Sequence, residues 1–172
     1  MVARQHVADD SATRLRVRIS VVAVGRLRTG AEKQLIDDYL ARVGKTGRGL
    51  GLGPAQVIEV EDRKGGGKAT EADLLRKAVP DGAVLVALDE RGKAMSSPAF
   101  ADHLAEWRDA GRRDVAFLIG GADGLDPVLV DQADMTLSFG KMVWPHMLVR
   151  VMLAEQLYRG CAILAGTPYH RV

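Results

Sequence analysis

Two stretches of this 172-residue chain carry side chains that chemistry could use. One is its ending, Pro168-Tyr169-His170-Arg171. There a ring can stack on a base, an imidazole can move a proton and a guanidinium can meet phosphate. Chain ends are ordinarily slack and replaceable, so such a concentration has no structural motive. The other stretch is Ser138-Phe139-Gly140-Lys141-Met142-Val143-Trp144-Pro145-His146, followed by Leu148-Val149-Arg150. Two aromatics and a methionine in a connection, where polar residues belong, imply a ligand pocket or a subunit contact. A flat adenine or a thioether would suit the pocket. Arg150 offers a cation for phosphate or carboxylate, with an ion pair to Glu155 as its competing role.

A third feature is a glycine pair that empties a buried run, Phe117-Leu118-Ile119-Gly120-Gly121, with Gly124-Leu125 beyond it. It lets a ligand approach bare backbone, or it makes a tight turn. Other signals fail. Gly65-Gly66-Gly67-Lys68 lacks the Ser or Thr and the earlier glycine of a phosphate loop, and Gly47 to Gly53 never completes the dinucleotide fingerprint. His6, His103, His146 and His170 are scattered and Cys161 is the single cysteine, so no metal site is expected. His103 reads as a solvated histidine and Cys161 as a small core residue.

Hydrophobic content of 47%, 27% charged residues and a net charge of +2 describe an ordinary globular protein with no strong pull toward nucleic acid. The lone cysteine suits a reducing compartment, no apolar run is long enough for a membrane, and the start lacks a signal-type core. A cytoplasmic protein is expected. Arg14, Arg16, Arg18, Arg26, Arg28, Arg42, Lys45 and Arg48 either track phosphates or form a solvated face.

Positioning these groups requires a scaffold. Residues 1–14 read as a loose extension and 15–172 as one domain. Alternation predicts strands over Val17–Val24, Gln56–Val60, Ala83–Leu88, Val115–Ile119 and Met135–Phe139. Helices are predicted after a Thr29/Glu32 capping box, over Glu71–Val79 capped by Thr70, from Ser97-Pro98, from Asp126-Pro127 to Ala133, and from His146 or Met147 to Ala165. Phe100, Leu104 and Trp107 form the buried face of the third, and Gly44–Pro54 is expected as a loop. The last helix is apolar nearly all round, with one side for the sheet and another for a partner chain. Five β-α alternations favour a doubly wound α/β fold, a mostly parallel sheet with helices on both faces. Ligands in such sheets sit beyond the strand carboxyl ends, here Leu88-Asp89, Ile119-Gly120 and Ser138-Phe139.

Together, Ile119-Gly120-Gly121, the Ser138–His146 loop, Leu148-Val149-Arg150, Glu155, Tyr158-Arg159 and Tyr169-His170-Arg171 resemble the ribosomal RNA large subunit methyltransferase H family. It is one of the SPOUT-class enzymes that use S-adenosylmethionine. The resemblance runs from about Arg18 to the end of the chain and is most specific in the last third. It implies a Rossmann-like fold with a C-terminal trefoil knot, a homodimer, and N3-methylation of a pseudouridine in the helix 69 loop of 23S rRNA. Such a small protein is expected to act on the assembled ribosome. By position, Leu88, Gly120, Phe139, Gly140, Lys141, Met142, Val143 and Trp144 would hold the cofactor. His170 is the first candidate for the base and His146 the second. Arg150 and Arg171 would neutralise charge or hold phosphate, and Tyr169 would stack on the target base. The extension before Val17 and the glycines of 44–54 depart from the family pattern. Competing expectations are a non-catalytic RNA-binding protein and a methyltransferase acting on tRNA.

Overall fold

The structure is a computed structural model that describes residues 16–171; the expected extension over 1–14 lies outside the described residues. Strand β1, Val17–Val24, leads through helix α1, Ala31–Arg48, to β2, Leu52–Val60. Helix α2, Lys68–Ala78, joins it to β3, Val84–Ala94, and α3, Ser97–Asp109, leads on to β4, Asp114–Ile119. The short α4, Pro127–Gln132, precedes β5, Met135–Ser138, and the 20-residue α5, His146–Ala165. All four pairings are parallel, in the order β2-β1-β4-β3-β5. The expected doubly wound α/β architecture is present.

Side-chain alternation divides the core in two. Val17, Ile19, Val21 and Ala23 of β1, with Val115, Phe117 and Ile119 of β4, face α1, α3 and α5. Val22, Val24, Ala116 and Leu118 face α2 and α4 through Ala72, Leu75 and Leu129. The central strands are covered on both sides, which is why they read as continuous apolar runs. Neighbouring strands therefore send their chains to opposite faces: β1 and β3 to the α1/α3/α5 side, β4 between them to the α4 side. Crevices open at the carboxyl edge wherever such paths diverge.

Several expected boundaries shift. Helix α1 continues through Gly44 to Arg48, and β2 begins at Leu52 instead of Gln56. Packing overrides glycine's weak helix propensity there. A Cβ on Gly47 would stand 2.5 Å from the Leu52 carbonyl oxygen, so only glycine lets the helix lie so close to the next strand. The N-cap of α1 is Gly30, without a side-chain bond, because the helix starts too late for Thr29 to cap it. Thr70 falls inside α2, whose cap is Gly67; Asp62 accepts the Gly67 N–H at 3.1 Å. Ser96, not Ser97, caps α3, accepting the Ala99 N–H at 3.2 Å. Ala101 joins Phe100 and Leu104 on its buried face, while Trp107 is only half-buried. His103 is not simply solvated: it pairs with Glu106 at 3.1 Å and stacks on Trp107. Strand β5 stops at Ser138, before Phe139, and Cys161 is buried in the core as expected.

The largest difference is in β3. It does not end at Leu88 but continues to Ala94, its pairing with β5 breaking register between Leu88 and Lys93. Residues 89–92 thus bulge outward at the carboxyl edge. Gly92 passes so near β5 that a Cβ would lie 2.7 Å from the Thr136 backbone.

Candidate active site at the carboxyl edge of the sheet

A cavity of about 590 Å³ lies over the ends of β4, β3 and β5. That is within the roughly 300–1,000 Å³ usual for small-molecule sites. Its floor and walls include Leu88, Gly120, Leu137, Phe139, Trp144 and Val149. The three strand exits expected to converge do so. Gly120 is a glycine for a physical reason: a Cβ there would meet Gly124 and Leu125 backbone atoms at 2.5–2.7 Å. The turn behind it is closed by the Gly124 N–H donating to the Gly121 carbonyl at 3.0 Å. Gly140 turns with φ of 112°, and its N–H donates to the buried Ser138 hydroxyl at 3.0 Å. The same hydroxyl donates to the Glu90 carbonyl, also at 3.0 Å, tying the β3 bulge to the loop after β5.

Of the residues expected to hold a cofactor, Leu88, Gly120, Phe139, Gly140, Met142, Val143 and Trp144 line this cavity, whereas Lys141 is exposed outside its lining. Met142 and Val143 are 73% and 80% exposed and form a rim instead of a wall. Asp89, at one of the expected strand exits, also lines it, and sequence reasoning passed over Lys68, Glu90, Arg91 and Asp123. Only the glycines before Lys68 hinted at the first, and the β3 bulge carries no periodic signal. Arg91 grips Asp89 with two bonds of 2.9 Å, holding that carboxyl below its usual range.

Among the expected catalytic groups, His146 alone reaches the cavity. It begins α5, and burial first, then Arg150, lowers its pKa below the ordinary value. Its Nδ1 is buried and meets no partner among the described residues, as expected where an entering group completes the site.

Arg150 is corrected in its role. Its side chain is 1% exposed and its partner is not Glu155 but Glu59, at 2.9 Å. Its other terminal nitrogen donates to the carbonyls of Val24 and Gly25, both at 2.8 Å. A guanidinium so engaged braces the β1 exit against α5 and is not free for a phosphate. Glu155 instead accepts from Arg159 at 2.9 Å and from the Tyr169 hydroxyl at 3.0 Å.

The tail docks there, away from the cavity. Tyr169 packs on Tyr158 at 4.6 Å between centroids, with the Arg159 guanidinium 4.8 Å over its ring. His170 Nδ1 lies 3.2 Å from Arg159, and Arg171 is exposed. Burial first, then bonds to Tyr39 and Glu155, pushes the Tyr169 phenol up, so it is a neutral donor at neutral pH. At 1.5 Å per residue, Glu155 and Arg159 stand roughly 14–20 Å along α5 from His146. Tyr169, His170 and Arg171 therefore do not share the cavity of their own chain as folded here.

Of the early basic residues, Arg14 lies outside the described residues, and three of the others stand at separate places. Arg18 pairs with Asp114 at the amino end of the sheet, Arg26 with Glu61 at the opposite edge and Arg42 with Asp38 on α1. No described helix is long and apolar enough to cross a membrane.

Comparison with known proteins agrees with this geometry. The family described as "Predicted SPOUT methyltransferase" matches residues 17–170. A protein of Dinoroseobacter shibae named ribosomal RNA large subunit methyltransferase H is 75% identical over 156 residues, 91% of this chain and 100% of that one. Its namesake in Ruegeria pomeroyi is 69% identical over the same shares. Among solved structures, a probable methylase family protein from Haemophilus influenzae superposes with a TM-score of 0.50. At 11% identity, over 91% of this chain and 71% of that one, it shares the fold.

Proposed function

This chain belongs to the SPOUT methyltransferases, among the ribosomal RNA large subunit methyltransferase H proteins, and from that premise we propose that it methylates N3 of a pseudouridine in helix 69 of 23S rRNA on assembled ribosomes. The observation that carries the reading is the cavity at three strand exits, with bare backbone at Gly120 and an imidazole at its edge. Its residues fit S-adenosylmethionine. Leu88, Phe139 and Trp144 offer apolar walls to an adenine and a thioether, and Gly120 brings bare backbone to the cavity surface. When bound, the cofactor supplies a methyl group on a sulfonium, a good leaving group.

The chain's own work is alignment and proton removal. His146 is the proton acceptor: it lies at the cavity and its lowered pKa leaves it neutral near pH 7. That reverses the order expected from sequence, because His170 lies outside this cavity, its Nδ1 beside Arg159 and its buried Nε2 without a partner among the described residues. Lys68 at the cavity lining supplies a cation for a flanking phosphate.

A homodimer is part of the reading. Met142, Val143, Trp144, Met147 and Leu148 are exposed side by side in sequence around the start of α5. Such a patch calls for a cover. A tail that misses its own cavity suits a partner's, and a knotted threading of the C-terminal segment is part of the same reading. An activity on ribosomes fits a cytoplasmic location.

The direct test incubates the protein with isotope-labelled S-adenosylmethionine and, separately, 70S ribosomes, protein-free 23S rRNA and bulk tRNA. Label confined to the ribosome sample, mapped to helix 69, is expected. Label in tRNA alone, or no calorimetric heat with the cofactor, would overturn the assignment.

A further inference from the structure

The carboxyl edge holds a second cavity, of about 470 Å³, beside the first. Val24 and Gly25 at the end of β1, the loop from Glu61 to Gly67, Glu71 of α2 and Asp123 enclose it. Asp123 lines both cavities. His146 of the first has its Cε1 3.9 Å from the place a Cβ would occupy on Gly25, a lining residue of the second. The topology explains the pairing. The chain leaves β1 and β4 toward opposite faces, so a crevice opens between them just as one opens between β4 and β3. One crevice receives the methyl donor, and its neighbour is within reach of it.

Two of the four carboxylates around the second cavity, Glu61 and Asp62, are engaged, while Asp123 is exposed and carries no side-chain hydrogen bond among the described residues. Glu61 is shared by Arg26 and Arg63 at 3.4 and 3.5 Å, and Asp62 accepts the backbone N–H groups of Lys64 and Gly67. Glu71 is different. Half-buried, its carboxylate meets no hydrogen-bond donor among the described residues, and Oε1 lies 3.3 Å from the Cβ position of Gly121. Burial first, then Asp62 and Asp123, raises its pKa above the usual carboxylate value. A carboxylate short of donors, beside a bare glycine, is arranged to take an N–H from whatever enters. It also approaches from the α2 face of the sheet, whereas His146 approaches from the α5 face. A flat ring across the ends of β1 and β4 would present one edge to each.

We propose that the second cavity is the subsite for the acceptor nucleobase, where Glu71 accepts a hydrogen bond from a ring N–H of a uracil-type base. The inference rests on the methyl-transfer reading above. His146 serves the nitrogen that is methylated, so Glu71 serves the other ring nitrogen. Pseudouridine carries a proton there; in uridine that nitrogen bears the sugar. Glu71 is therefore a specificity-determining residue.

The test crosses two proteins, unaltered and Glu71→Leu, with two ribosomes, one carrying pseudouridine and one carrying uridine at the target. Single-turnover rates are measured at saturating cofactor, with cofactor affinity by calorimetry and Tm alongside. Glu71→Leu is expected to slow transfer to pseudouridine roughly 10- to 100-fold, the worth of a hydrogen bond to a charged group. It should leave the uridine rate, the cofactor affinity and Tm unchanged, and Glu71→Gln, which keeps an acceptor oxygen, should restore part of the rate. Equal slowing on both bases, a parallel loss of cofactor affinity, or no slowing at all overturns the subsite while the unaltered protein still methylates ribosomes. If the unaltered protein transfers nothing to either ribosome, the functional reading fails and the subsite with it.

Discussion

Arg150 and Glu59, 91 residues apart in sequence, meet at 2.9 Å beneath the exit of β1, and the guanidinium between them and the strand is almost wholly enclosed. Removing one partner of a buried pair strands the other, at a cost of about 3–5 kcal/mol. Arg150→Met is expected to lower the urea-unfolding free energy by that order. Glu59→Gln should cost less, about 1–3 kcal/mol, since its side chain is 28% exposed and the carbonyls of Val24 and Gly25 still hold the guanidinium. Near-equal stability of Arg150→Met and the unaltered chain would contradict the bracing role.

With His146 as the proposed proton acceptor, the rate should depend on pH. Its imidazole is neutral in the fold down to a pH below the ordinary 6.5, through burial and then Arg150. The acid limb of the methyl-transfer rate should therefore have its midpoint below that value, and His146→Gln should remove the limb along with most of the rate. Stability carries the same sign. The contribution is complete above 6.5, where both states are neutral, and is lost as pH falls through the folded-state pKa, because the unfolded chain takes the proton first. An NMR titration of the imidazole checks both; a midpoint above 6.5 contradicts them.

Gly120 tests the proposed place of the methyl donor. Even the methyl of Gly120→Ala must enter space held by Gly124 and Leu125 backbone. Overpacking of this kind costs about 1–3 kcal/mol, and the displaced turn should weaken S-adenosylmethionine correspondingly in a calorimetric titration. Undiminished affinity would place the donor elsewhere.

The tail should separate binding from turnover. Deleting residues 168–172 removes nothing from the cavity lining, so cofactor affinity should persist while methyl transfer to ribosomes falls. In a mixture, a tail-deleted chain and a His146→Gln chain should regain activity if each tail serves the opposite cavity. Full loss of cofactor affinity on deletion would argue against this division.

Much of the scaffold was legible because it rests on local pattern. The apolar run Val115–Ile119 and the cap-and-proline start at Asp126-Pro127 announce their elements unaided. What escaped was decided at a distance. Gly47 belongs to a helix because Leu52 passes beneath it, and the β3 bulge exists because Ser138 and Thr136 hold it from another strand. Of the site, the glycines and the apolar loop after β5 could be read directly. Arg150 could not, since its partner Glu59 follows from packing that no spacing encodes, whereas Glu155 stands four residues before Arg159, a helical spacing that could have shown that pair. Glu71 gave no signal in the sequence, because its character comes from what the fold leaves unpaired around it.

Asp123 borders both cavities, yet the other walls come largely from separate stretches of chain: 61–67 and Glu71 on one side, Lys68, 88–91 and 137–149 on the other. Changes in the first set can retune which base is accepted without disturbing the grip on the methyl source. An engineer seeking a new RNA target should therefore vary the segment after β2 and leave the two later exits alone.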